Sequence, residues 1–225
     1  SQDDLEKYYK RVYDAYVRIF NRIGMKRVVA VKSDTGMMGG NIAHEYMLLT
    51  PIGEDSIVIC PECGYKANME IAVTDRLSVR DAKSEELKEV FTADKKDIDA
   101  VCKELGIEAK KTIKAVCYYE KGTENIVLCF IRGDLEINES KLTKIIGKQI
   151  VPANLADSDV LHAGNIGCVN LDARDMTVVF DKSLENANNM VTGANKSEYH
   201  LTGVDMARDV NVKEYVDVAK VQIGD

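Results

Sequence analysis

Apolar residues recur at helical spacing along the start of the chain: Leu5, Tyr8, Tyr9, Val12, Tyr13, Tyr16, Ile19, Phe20 and Ile23. This pattern predicts an amphipathic helix over residues 3–23, with Asp3 or Asp4 as its cap and Gly24 as its stop. The period then shortens. Residues 27–31, 44–49 and 57–60 read as short strands, and 67–72 as a turn or helix start. Residues 75–92 are polar and highly charged, which reads as a connector and places a boundary between two structural units near residues 65–75.

Beyond that boundary, Ile98, Val101, Cys102 and Leu105 predict a helix over 95–104, ended by Gly106. Two runs rich in Ile, Val, Tyr and Phe, 113–119 and 126–131, flank Gly122-Thr123-Glu124-Asn125 and predict a hairpin. Lys114 lies inside the first run. A cation there either blunts an exposed strand edge or meets a ligand. Arg132-Gly133-Asp134 is a turn closing the second run, and Asn138 caps a helix over 138–146. In residues 151–161, Asp157-Ser158-Asp159 caps a short helix. Residues 176–180 form a strand ending at Asp181, 186–195 are Asn-rich around Gly193, and His200 sits on a short stretch, 199–201.

Composition narrows the function classes. With 225 residues, 45% of them hydrophobic and 30% charged, the chain can bury a substantial core and is not of disordered type. Its net charge of −7 argues against a protein that coats nucleic acid, while leaving room for a local basic site. No apolar run approaches bilayer length and the first residues lack a signal peptide's apolar core, so a cytoplasmic location is expected.

Cys102, Cys117, Cys129 and Cys168 stand alone in apolar surroundings and read as reduced core thiols. Cys60-Pro61-Glu62-Cys63-Gly64 is half of a zinc knuckle. No second Cys-x-x-Cys or His pair follows, so bound zinc and a reduced turn both stay open. Two glycine-rich loops, 34–40 and 162–168, could let a ligand approach the backbone. The first matches neither the Rossmann fingerprint nor the P-loop, and neither a Ser-His-Asp nor a Cys-His order is visible.

Taken in order, Lys111-Thr112-Ile113-Lys114, Arg132-Gly133-Asp134-Leu135-Glu136-Ile137-Asn138-Glu139, the Gly164 loop, Asp181, Gly193-Ala194-Asn195 and His200 resemble the insertion domain of bacterial prolyl-tRNA synthetase. Asp34-Thr35-Gly36-Met37-Met38-Gly39-Gly40 with Ala43-His44-Glu45-Tyr46 is similar to that family's Asp-Thr-Gly-x-x-Gly-Gly…Ser-His-Glu-Phe segment. Residues 60–68 look like its entry into the insertion.

The resemblance implies an α/β (α+β) fold with a mixed, mostly antiparallel sheet and surrounding helices, similar to the YbaK-type deacylases. It implies a flank from the class II synthetase core at 1–65, an editing domain at 66–206 and a return to the core at 207–225. The ATP-binding arginine motifs and an anticodon-binding domain have no counterpart here, so the chain looks like a fragment.

The activity implied is hydrolysis of mischarged Ala-tRNA(Pro) by a positioned water, without a cofactor or metal. The parent synthetase would use ATP and magnesium, act on tRNA(Pro) and form a homodimer. Carried over, Lys114 would hold the phosphate or ribose of the terminal adenosine, and Gly164 with its loop amides the carbonyl or water. Asp181 and His200 would shape the amino-acid pocket. Thr112, Asn165, Gly167 and Gly193 would complete the substrate contacts. Thr35, Gly39, Gly40, His44 and Glu45 would be remnants of the prolyl-adenylate site.

Two departures stand out: Cys168 occupies the proline of the family's Gly-x-x-x-Pro loop, and Ala43 replaces a serine. The alternative implied is a non-hydrolytic insertion that binds tRNA and supports prolyl-adenylate formation.

Overall fold

The computed structural model describes residues 1–36, 40–74, 76–154 and 161–225. Gly39 and the expected helix cap at 157–159 lie outside them. The chain divides into two compact units, Ser1–Ala72 and Val73–Asp225. Residues 207–225 belong to the second unit.

In the first unit, α1 (Gln2–Arg22) is one residue offset from the expected helix. Its cap is Ser1, whose hydroxyl accepts from the Asp4 amide while the Asp4 carboxylate returns the bond. Asp4 is therefore the third residue of a capping box and not the cap itself. Strands β1 (Val28–Lys32), β2 (His44–Leu48), β3 (Ile57–Ile59) and β4 (Lys66–Asn68) form a sheet in the order β2-β1-β4-β3. Part of the stretch expected to be a turn or helix start is thus a strand: Ala67, fully buried, pairs with Val58 and Lys32. One helical face lies on β2, where Tyr13, Tyr16 and Phe20 pack on Tyr46, whose hydroxyl donates to the Tyr13 carbonyl at 2.8 Å.

The second unit contains β5 (Lys88–Phe91), α2 (Ile98–Leu105), β6 (Ile113–Glu120), β7 (Ile126–Arg132), α3 (Glu139–Ile146), β8 (Ile150–Pro152), β9 (Met176–Asp181), β10 (Met190–Gly193), β11 (Tyr199–Val204), α4 (Met206–Asp209) and β12 (Tyr215–Val216). They make a three-stranded sheet, β10-β11-β5, and a five-stranded one, β12-β9-β7-β6-β8. Antiparallel pairs predominate. The β7–β9 and β9–β12 pairs are parallel.

The hairpin β6–β7 is the centre of the unit. Val127 to Ile131 are fully buried, because β7 is covered on both faces, which is why it reads as a continuous apolar run. Leu128 and Phe130 point into a core with Leu184, Met190 and Met206, and Val127 and Cys129 into another with Leu142, Val179 and Val218. The lone cysteines of the hairpin and of the 162–168 loop are free thiols. Burial raises Cys117 to about 11 and Cys168 to about 12, so both stay protonated.

The expected connector 75–92 contains β5, an edge strand whose Lys88 and Glu89 mask its alternation. Asp81 fastens this stretch to Lys111 at 2.6 Å and to Asn189 at 2.9 Å. α2 begins later than expected, because Asp97 caps it through the Ala100 amide.

The C-terminal segment is tied in by buried polar groups. Lys141 donates to Asp217 at 2.9 Å and to the Ala219 carbonyl at 2.9 Å. Asp181, 1% exposed, accepts from the Ser183 amide through Oδ1 at 2.8 Å and from the Val218 amide through Oδ2 at 2.9 Å. Hydrogen bonds to a charged acceptor contribute about 1.5–3 kcal/mol each. Asp181→Ala should therefore destabilise the second unit by about 3 kcal/mol or more, read as a lower urea midpoint, without changing turnover per folded molecule.

Candidate active site

A pocket of about 310 Å³ opens where the two sheets of the second unit meet. The junction is a parallel bridge between Thr112, just before β6, and Val191 on β10. Four pieces of chain line it: the start of α2 with Lys96, Asp97, Ile98 and Val101; Thr112 to Ala115; Gly164 and Ile166; and Val191 to Gly193 with His200. Its walls are mainly apolar, with a few convergent polar groups, the usual composition of a small-ligand site.

The structure brings together Lys114, Gly164, His200, Thr112 and Gly193 of the sequence-predicted residues. Asp181, Asn165 and Gly167 lie outside the pocket lining. Both Asp181 oxygens are spent on structural amides. The Asn165 side chain clamps the 162–168 loop to β11, donating to the Tyr199 carbonyl at 3.3 Å and accepting from the Glu198 amide at 3.2 Å. In the first unit, His44 Nδ1 is hydrogen-bonded to the Tyr9 hydroxyl at 2.8 Å and Glu45 accepts from Asn68 at 3.3 Å. The Cys63 amide points at Cys60 Sγ at 3.5 Å in a knuckle turn. Among the described residues no group of three or more potential metal ligands occurs.

Lys114 sits on β6 opposite Ile131 of β7. β8 pairs with β6 only from Tyr118 onward, so the strand is locally an open edge at the lysine. Among the described residues no carboxylate forms an ion pair with it. It is half-buried; desolvation lowers its pKa, opposed by the more distant charges of Glu136 and Asp134. Arg132 and Asp134 pair bidentately, at 2.6 and 2.9 Å, as a structural turn.

The glycines explain the pocket's shape. Gly164 has φ +86°, and a side-chain carbon there would stand 2.6 Å from Lys96 Cβ, so this loop packs directly on Lys96, just before α2. A side chain on Gly167 would strike the Gly193 carbonyl, and one on Gly193 would strike Asn165. Of the loop's amides, Asn165 donates to the His162 carbonyl and Gly167 to Asn195 Oδ1, both at 2.8 Å. The amides of Gly164 and Ile166, both at the pocket, have no partner among the described residues.

His200, on β11, is 5% exposed, and its Nδ1 lies 2.7 Å from Thr92 Oγ1. Among the described residues, buried Thr192 Oγ1 has no nitrogen or oxygen partner; the Cys168 thiol lies beside it. Sequence reasoning passed over Lys96, Thr92 and Thr192. Lys96 was hidden by counting it as helical, although Asp97 behind it is a capping signal. No local pattern distinguishes the two threonines.

The pocket combines a half-buried cation with backbone amides that have no partner among the described residues, and its described lining contains no serine or cysteine. The chain belongs to the aminoacyl-tRNA editing domain family, whose pattern it matches over residues 92–208. Its relatives are proline–tRNA ligases. That of Halothermothrix orenii (strain H 168) is 38% identical across 99% of this chain and 39% of its own length, and that of Geobacter sp. (strain M21) 39% identical across 96% and 38%. The chain therefore spans about two fifths of the length of the curated relatives it matches. The solved structure of the hypothetical protein APE2540 shares the fold, with a TM-score of 0.50 and 14% identity over 60% of this chain and 91% of that one.

Two outcomes follow from the geometry. Gly164→Ala should push Lys96 and the α2 start away from the loop and lower the urea midpoint by about 1–3 kcal/mol equivalent. Burial holds His200 below its ordinary value of 6.5, so the unfolded chain takes up its proton first. The stability from the neutral ring is full above that value and is lost as pH falls through the lower folded value. As pH falls below 6.5, the wild-type midpoint should fall more steeply than that of His200→Gln.

Proposed function

We propose that this chain is an editing hydrolase that removes alanine from mischarged tRNA(Pro), and that it is the insertion domain, with flanking core segments, of a proline–tRNA ligase. The observation that carries this reading is Lys114, an unpaired, half-buried cation at an open strand edge inside a small apolar pocket. In an acidic chain, such a cation suits a phosphate or ribose of the terminal adenosine, delivered by the acceptor end of tRNA.

Lys114 fixes the ester's position, which converts attack by a bound water into an oriented event. The Gly164 and Ile166 amides, without a partner among the described residues, receive the oxygen that gains charge as water adds to the carbonyl. The bond between the acyl carbon and the ribose oxygen then breaks; the ribose oxygen takes up a proton and alanine leaves as the acid. No residue needs to form a covalent intermediate. The walls formed by Ile98, Val101, Ile166 and Val191 limit what enters.

Size selection is needed because a synthetic site that accepts proline rejects a smaller amino acid only weakly. Missing methylenes are worth about 1–3 kcal/mol each, so a second sieve that admits only the smaller product supplies the discrimination. In the full-length enzyme, synthesis would use ATP and magnesium at a separate catalytic core, to which His44, Glu45, Thr35 and Gly40 would belong. The enzyme would be a cytoplasmic homodimer.

The alternative, a non-hydrolytic insertion, is favoured by Cys168 in the 162–168 loop and by the acidic net charge of −7. That loop is held by other means: Asn195 accepts from Gly167 at 2.8 Å and donates to the Val169 carbonyl at 3.0 Å, and Cys168 is packed in the core.

The test is deacylation of Ala-tRNA(Pro) and Pro-tRNA(Pro) by the purified chain. Alanine should be released at least about tenfold faster than proline. Lys114→Ala should lower kcat/KM for the alanyl ester by about 100-fold with an unchanged urea midpoint. Equal hydrolysis of both esters, or full activity of Lys114→Ala, would remove the reading.

A further inference from the structure

The wall residue His200 is bonded, through Nδ1, to a threonine that the proposed chemistry does not use. Thr92 follows β5, the edge strand hidden in the charged stretch before α2, and both side chains are buried, at 1% and 5% exposure. Water therefore does not compete for their hydrogen bond. The Thr92 hydroxyl touches two groups: His200 Nδ1 at 2.7 Å and the Glu198 carbonyl at 3.3 Å. Glu198 is itself held at φ +65°, and its carbonyl also accepts from the Thr92 amide at 2.8 Å.

A hydroxyl has one proton, and a carbonyl can only accept. Both contacts form together only if the hydroxyl donates to Glu198 and accepts from the ring. We infer that Thr92 fixes His200 in the Nδ1–H tautomer and so presents its Nε2 lone pair to the pocket as an acceptor for the ammonium group of an aminoacyl ester. Among the described residues Nε2 has no hydrogen-bond partner. The other tautomer would place an N–H donor there, facing a group that can only donate. Thr92 is thus a positioning residue, acting through His200.

The use made of the lone pair rests on the reading of this pocket as an ester-hydrolysing site. The tautomer itself does not.

The experiment pairs nitrogen NMR with kinetics. The chain has three histidines, so long-range nitrogen–proton correlation spectra resolve each ring, and His200→Gln assigns one of them. Wild type and Thr92→Ser should show protonated Nδ1 and bare Nε2 at His200, and Thr92→Val, which keeps the shape but loses the acceptor, should move the proton to Nε2. In parallel, Thr92→Val should raise KM for Ala-tRNA(Pro) about tenfold, equivalent to about 1.4 kcal/mol, with Thr92→Ser restoring it. N-acetylalanyl-tRNA(Pro), which has no ammonium group, should be hydrolysed equally by wild type and Thr92→Val.

A wild-type ring protonated at Nε2 would overturn the proposal, as would a Thr92→Val ring that keeps its Nδ1 proton. An equal loss on the acetylated ester would reduce Thr92 to a packing role. The expected tautomers in a chain that hydrolyses no ester would uphold the positioning of the ring and reject the functional reading alone.

Discussion

The pocket depends on the close approach of two stretches of backbone. The 162–168 loop lies against β10 with Gly167 on the Gly193 carbonyl and Gly193 on Asn165, and neither position has room for a side chain. This approach would leave polar backbone stranded if it were not hydrogen-bonded, and two asparagines supply the partners. Asn165 serves β11 through Tyr199 and Glu198, while Asn195 serves the loop through Gly167 and Val169. Both are interior or half-buried, where an unmade bond costs more than a made one contributes. These bonds hold the loop on either side of Cys168.

From that contact the chemistry follows. The Asn165 and Gly167 amides hold the loop, and Gly164 and Ile166, which line the pocket, have amides without a partner among the described residues. Seating Gly164 against Lys96 brings the start of α2 over the same space. The parallel bridge at Thr112 sets the beginning of β6 beside β10, and Lys114, paired with Ile131 on β7, lies beyond the reach of the β8 pairing on its other side. Of the charged groups nearby, Lys111 pairs with Asp81 and Arg132 with Asp134, while Lys96 also lines the pocket and Asp97 caps α2 through the Ala100 amide.

Much of this was legible in the sequence. The hairpin, α1 and α3 are found from periodicity and caps, because burial on one or both faces leaves a pattern along the chain. Lys114, Gly164 and His200, singled out through the resemblance, line one pocket, whereas Asp181, Asn165 and Gly167 lie outside it. β5 was missed because an edge strand with Lys88 and Glu89 facing solvent hides its alternation. Asp181 was assigned to the site, yet it serves Ser183 and Val218, since a carboxylate at a strand end has the same local signature whether it faces a ligand or a backbone amide.

What the sequence by itself determined is the kind of chain this is and which segments carry its polar chemistry, since side-chain type and spacing act locally. Which amides of the loop are spent and which are free, which ring nitrogen of His200 is engaged by Thr92, and that Asp181 is structural were decided only by the tertiary structure. Each of these depends on partners far away in the chain, Gly193, Glu198 and Val218 among them, and hydrogen-bond satisfaction in a buried site is settled by three-dimensional neighbours that no local pattern encodes.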